Sequence, residues 1–123
     1  MSDPKPEITY EDFLKLDIRT GAITSVEALP KSKKLLKLQV DFGTIGVRTI
    51  LAGIAQNSPY GSVVDGVWQD SCLVGQKIVA VLNLVPREMM GIMSHGMLLA
   101  YHDEANKVYL LTSFPVPVGS EVG

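Results

Sequence analysis

The sequence predicts an all-β domain: a small five-stranded barrel with a short N-terminal helix and a C-terminal extension. Three segments carry that prediction. LLKLQVDF alternates without a fault, with Leu36, Leu38, Val40 and Phe42 on one face and Lys37, Gln39 and Asp41 on the other. KIVAVLNL is nearly all apolar, the pattern of a strand buried on both faces or closing a barrel. DIRTGAITSVEAL reads as one long strand, and a long, bent first strand is what a small closed barrel needs.

The elements follow in chain order. Residues 1–8 read as a mobile, proline-punctuated lead-in, so the folded unit is expected to be a single domain over 9–123. Thr9 can cap a short helix with Asp12 at its third position, leaving Phe13, Leu14 and Leu16 as the apolar side. In the long first strand Ile18 and Ile23 are an odd number apart, so a regular pleat puts them on opposite faces; a bulge or bend at Gly21 is expected to restore the phase. GTIG is a turn and VRTILA a third strand. Residues 57–72, NSPYGSVVDGVWQDSC, hold no sustained period and read as a long loop folded back onto the surface. After KIVAVLNL the chain is expected to turn at Val85 and Pro86 and pass through an irregular loop to a strand at Met97. LLAYH and KVYLLT, joined by DEAN, form a terminal hairpin. The prolines of SFPVPVGSEVG confine the tail to edge or loop positions. Sandwich and barrel are both compatible with the strand count, and the long first strand, hairpin connections and small size favour a barrel of the oligonucleotide/oligosaccharide-binding type.

Composition narrows the function. The 46% hydrophobic and 20% charged residues suit a globular domain, and the single cysteine, Cys72, excludes an internal disulfide and fits a reducing cytoplasm. No apolar run approaches the length of a membrane span, and the N-terminus has no signal-peptide core. With only His95 and His102, and no H-x-E or C-x-x-C spacing, neither a zinc site nor a cofactor is expected. Ser94 and His95 fail as a nucleophile–base pair because neighbours on a strand point to opposite faces, so no catalytic residue is assigned.

The net charge of −2 argues against indiscriminate nucleic-acid binding, but the charge is unevenly distributed. KSKKLLK brings Lys31, Lys33, Lys34 and Lys37 together without an acid. This is either a solvated loop or, at the loop between the first two barrel strands, a phosphate-neutralising rim. In NLVPREMMGIMSHGMLLA, Arg87 follows a conformationally restricted proline, so its guanidinium fork is expected at the barrel rim, available to phosphate or base unless it pairs with Glu88 or Asp103. Asn83 and Ser94 add donors and acceptors, and the methionines an adaptable apolar platform.

DFLKLDIRTGAI, LPKSKKLLKLQVDFG, LAGIA, LVGQKIVAVLNLVPREMMG and SHGMLLA, in this order, resemble the tRNA-binding domain that ends many methionyl-tRNA synthetases. The same domain exists as a free-standing dimeric tRNA-binding protein and in the endothelial monocyte-activating polypeptide group. The resemblance runs from about Tyr10 to the C-terminus. It implies the oligonucleotide-binding barrel and shape-selective tRNA binding without catalysis, alone or as an accessory subunit of an aminoacyl-tRNA synthetase, in the cytoplasm. Carried over by motif, the loop lysine before Leu-Leu is Lys34, flanked here by Lys31 and Lys33. The N-L-x-P-R element supplies Asn83, Pro86 and Arg87, and S-x-G-M supplies Ser94, Gly96 and Met97. Three positions depart from the pattern: Lys33 where an acid is frequent, Glu88 where a base is frequent, and a longer segment at 57–72. The resemblance also implies a homodimer, with apolar material in the helix (Phe13, Leu16) and the tail (Phe114, Val116, Val118). DIRTG and DFGT-IG are similar as well to an export-related, peptide-binding chaperone of the same fold, which stands as the alternative.

Overall fold

The structure, a computed structural model, describes residues 3–56 and 58–123. Met1 and Ser2 of the expected lead-in, and Asn57 of the expected loop, lie outside the described residues. The helix α1 (Tyr10–Leu14) has the capping box read from the sequence. Thr9 Oγ1 accepts from the Asp12 backbone N–H at 3.1 Å, and the Asp12 carboxylate accepts from the Thr9 N–H at 3.4 Å. These bonds satisfy donors that every helix start leaves orphaned. No residue of α1 is buried, so its apolar side packs no core.

The barrel wall uses β1 (Ile18–Ala28), β2 (Leu36–Asp41) and β3 (Val47–Ala52), then β6 (Lys77–Val81) and β9 (Met97–Leu98). They lie in the order β3-β2-β1-β6-β9, all antiparallel. The ring closes between β3 and the chain entering β9: the His95 N–H donates to the Thr49 carbonyl at 2.9 Å, and the Leu51 N–H to Ser94 Oγ at 3.0 Å. Leu36, Leu38, Val40 and Phe42 are fully buried, as their alternation requires, and meet Ile23, Ile50, Leu73 and Ile78. Each such side chain contributes about 1.5–3 kcal/mol through burial.

The phase slip in β1 has a different origin from the one expected. Pairing with β6 runs unbroken from Ile18 to Ala22, so there is no bulge at Gly21. The two faces are covered by different parts of the chain. Gly21 and Ile23 face the core, and a Cβ on Gly21 would lie 2.6 Å from the Phe42 ring. Thr20, on the other face, is covered by the C-terminal tail: its hydroxyl donates to the Pro117 carbonyl and accepts from the Ser120 N–H. The register shift lies further on, between Ile23 and Ser25 against β2.

Two segments expected to be irregular are hairpins. Residues 61–70 form β4 (Gly61–Val64) and β5 (Val67–Asp70), turning on Asp65 and Gly66, both with positive φ. Residues 87–94 form β7 (Arg87–Met89) and β8 (Ile92–Ser94), turning on Met90 (φ 54°) and Gly91 (φ 78°). In each, the left-handed pair matches the twist of the flanking strands, as two-residue hairpin turns demand. Valines and methionines facing water obscured the strand period on either side. The expected terminal hairpin is present as β10 (Ala100–His102) and β11 (Val108–Leu110), and the tail adds β12 (Glu121–Val122) to the start of β1.

Candidate nucleic-acid interface

The loop between β1 and β2 is fastened through its backbone, which leaves its lysines free. Ser32 N–H donates to the Leu29 carbonyl, and Ser32 Oγ accepts from the N–H groups of Lys34 and Leu35. The Lys34 carbonyl in turn accepts from Ala55 N–H at 2.9 Å. Lys31, Lys33 and Lys34 are all exposed, and among the described residues none of them forms an ion pair. Lys37, the second residue of β2, does pair with Glu27 at 3.7 Å. Each of the three free lysines borders a different wall. Lys31 shares a cavity of about 240 Å³ with Met90 and Ile92 at the tip of the β7–β8 hairpin. Lys33 borders one of about 450 Å³ against the β4–β5 hairpin, and Lys34 one of about 350 Å³ beside Asn106 and Val108.

The β7–β8 hairpin extends this rim. Its tip lies at the lysine loop, and its base carries Arg87, paired across the strands with Ser94. Arg87 is exposed and, among the described residues, pairs with neither Glu88 nor Asp103. Beside the base, a further cavity of about 450 Å³ is lined by Arg48, Thr49, His95 and the Leu84-to-Pro86 turn. Arg48 Nη1 donates to the Leu82 carbonyl at 2.7 Å and the His95 carbonyl at 3.4 Å, so its cation is held by neutral partners and keeps its charge for outside groups. No acidic residue lines any of these four cavities. A basic rim on an acidic body is therefore a matter of placement, with unpaired cations collected along one loop and one hairpin.

Asn83 and Ser94, also singled out from the sequence, hydrogen-bond within the fold. Asn83 binds the N-terminal segment to the end of β6: its Nδ2 donates to the Lys15 carbonyl and its Oδ1 accepts from Asp17 N–H at 2.7 Å. Ser94 is buried, accepts from Leu51 N–H and donates to the Gly96 carbonyl at 3.3 Å. Met97 is 49% exposed and lines a separate groove with Leu51 and Leu98. Met90 and Met93 are likewise about half exposed, so they supply apolar surface on the hairpin. Arg48 and Gln56 were not singled out; both lie in segments whose clearest signal is apolar alternation or a turn. Among the described residues no group of three or more His, Cys, Asp and Glu is placed to hold a metal, and no helix is long and apolar enough to cross a membrane.

Residues 18–121 match the family described as "Putative tRNA binding domain". The chain belongs to this tRNA-binding domain family. It is 43% identical over 107 residues to the methionine–tRNA ligase of Methanococcoides burtonii, a match covering 87% of this chain and 14% of that one. It is also 43% identical over 118 residues to the ligase of Methanospirillum hungatei, covering 95% of this chain and 16% of the relative. The chain thus spans about a sixth or less of the length of these curated relatives. Among solved structures, the MetRS-related protein of Pyrococcus horikoshii superposes with a TM-score of 0.81 at 35% identity, covering 97% of this chain and all of that one. The chaperone CsaA of Bacillus anthracis superposes at 0.78 with 31% identity, over 96% of this chain and all of its own.

Proposed function

We propose that this chain is a non-catalytic, structure-selective tRNA-binding protein. The observation that carries the reading is the meeting of the lysine loop with the tip of the β7–β8 hairpin, and that among the described residues Lys31, Lys33, Lys34 and Arg87 form no ion pair. Lysine contacts of this kind neutralise phosphates and read shape, not sequence. Asn83 and Ser94 act as positioning groups, the first holding the end of β6 and the second holding the root of the hairpin against β3. Met97 adds apolar surface in the separate groove it shares with Leu51 and Leu98.

The protein acts free-standing or as an accessory subunit of a methionyl-tRNA synthetase, in the cytoplasm, and as a homodimer. The ligases named above, each far longer than this chain, support the synthetase association. Exposed apolar side chains support the dimer: Tyr10 and Leu14 on α1, and Phe114, 85% exposed, on the tail. Two copies of a short basic rim would double the contact with one large rigid RNA. A tRNA gel-shift titration at several salt concentrations tests the reading. With roughly three to five phosphate contacts in all, the log–log slope should be about −2 to −4, and a flat response would overturn it.

The full-length match to CsaA supports a second reading, a peptide-binding chaperone. Suppression of client aggregation in the absence of any tRNA binding would select it.

A further inference from the structure

The β4–β5 hairpin fills the segment read from the sequence as longer than the family pattern, and it is firmly built. Trp68 and Tyr60 are both buried in the core, and the Tyr60 hydroxyl accepts from Leu110 N–H at 2.9 Å. Trp68 Nε1 donates to Asp70 at 2.9 Å. Gly61 lies so close beneath the Trp68 ring that a Cβ there would come within 2.6 Å of it. A hairpin anchored this way holds a fixed wall opposite the lysine loop. Between the two lies the cavity of about 450 Å³, a size typical of small-ligand sites.

The lining has the chemistry of a nucleotide. Leu29, Pro30, Ala55 and Val63 supply apolar surface for a flat ring. Ser32, Gln56 and Ser62 supply donors and acceptors suited to the edge of a base. Among the lining residues Lys33, on the loop side, carries the charge. A neutral base against the hairpin with its phosphate toward Lys33 sets the anion beside that cation and the ring on the apolar surface. We propose that the β4–β5 hairpin and the lysine loop together form a pocket for one unpaired nucleotide, base toward Val63 and Gln56, phosphate toward Lys33. The inference rests on the tRNA-binding reading for its ligand class, and it assigns the added hairpin a role in selecting RNA that has unpaired bases.

Trp68 is the only tryptophan and lies directly across the strand pair from Val63, so it reports on the pocket. The experiment titrates the full chain with a single-stranded pentanucleotide, with a blunt RNA duplex and with tRNA, following Trp68 fluorescence and gel shift in parallel. The pentanucleotide and tRNA should change the Trp68 emission, and the blunt duplex should bind without changing it. Ser62→Phe, which fills the cavity at an exposed strand position, should weaken pentanucleotide binding about five- to hundredfold, the range for losing one stacked base. It should leave the salt slope unchanged, while Lys33→Ala should lower that slope by about one and keep the fluorescence response. Gln56→Ala, outside the strands, gives the same test if Ser62→Phe alters the fold, which the far-ultraviolet dichroism reports. A tRNA gel shift with silent Trp68 would overturn the pocket and leave the tRNA reading standing. A Trp68 response to the pentanucleotide without a tRNA shift would support the pocket and overturn the tRNA reading. A response to an unfolded polypeptide but not to the pentanucleotide would overturn the pocket in favour of a peptide site.

Discussion

The two hairpins that interrupt the barrel share a turn and differ in how they are held. In β4–β5 the turn is Asp65-Gly66, and Trp68 and the adjoining Tyr60 reach into the core. In β7–β8 the turn is Met90-Gly91, and the buried member is Ser94, which fastens the hairpin by hydrogen bonds to the backbone of β3 and to Gly96. The first is anchored by aromatic burial, which is nearly non-directional and large. The second is anchored by a polar contact that is weak in net terms but fixes registration. The difference suits their positions. The wall opposite Lys33 is rigid, whereas the arm carrying Arg87 and the half-exposed Met90 and Met93 can adjust to the surface it meets.

The comparison can be broken most directly at Trp68. Trp68→Ala should destabilise the protein by about 3–5 kcal/mol in denaturant unfolding, because it empties a buried ring site. If the loss were below about 1 kcal/mol, the β4–β5 hairpin would not be core-anchored. Ser94→Ala comes next. Leaving the Leu51 N–H without its buried acceptor should lower stability by about 1–3 kcal/mol and speed amide exchange at Leu51. A matching truncation at the exposed Met93 should move stability by no more than about 0.5 kcal/mol, and parity between the two would erase the claimed anchor. Arg87→Ala sharpens the contrast from the functional side: stability should hold within about 0.5 kcal/mol, while tRNA binding weakens by about 1–3 kcal/mol. Lys15→Ala serves as control, since Lys15 pairs with Asp12 on the helix and lies outside the proposed rim.

The smallest effect lies away from both hairpins, in α1. Hydrogen bonding to Lys15, and then to the Thr9 backbone and hydroxyl, holds the Asp12 carboxyl below its ordinary value of 3.8. A depressed folded value means that the capping contribution is present at neutral pH and is lost as pH falls through that lowered value. Helical dichroism should therefore decline only on strong acidification, and Asp12→Asn should remove that pH dependence without altering the barrel transition.

Much of the barrel was legible because its signals are local. Unbroken alternation in LLKLQVDF required a half-buried strand, and Thr9 with Asp12 required a capped helix, whatever the rest of the chain did. The lysine cluster was legible for the same reason, since three cations within four residues must share a neighbourhood. Asp65-Gly66 is equally visible as a turn signal, but the valines around it face water on both strands, which hides the strand period.

Other features depended on which distant segments meet. Nothing between Ile18 and Ile23 reveals that the tail will cover the second face of β1, so the slip in apolar phase resembled a bulge. Asn83 and Ser94 carry side chains as suitable for a ligand as for a backbone group. Only the arrival of Lys15 and Asp17 at one, and of Leu51 at the other, gives them partners within the chain. By itself the sequence determined the strand periods, the helix cap, the basic loop and the family to which they belong. Tertiary structure alone decided which polar groups remain free for a partner, because hydrogen-bond satisfaction is settled by neighbours far away along the chain.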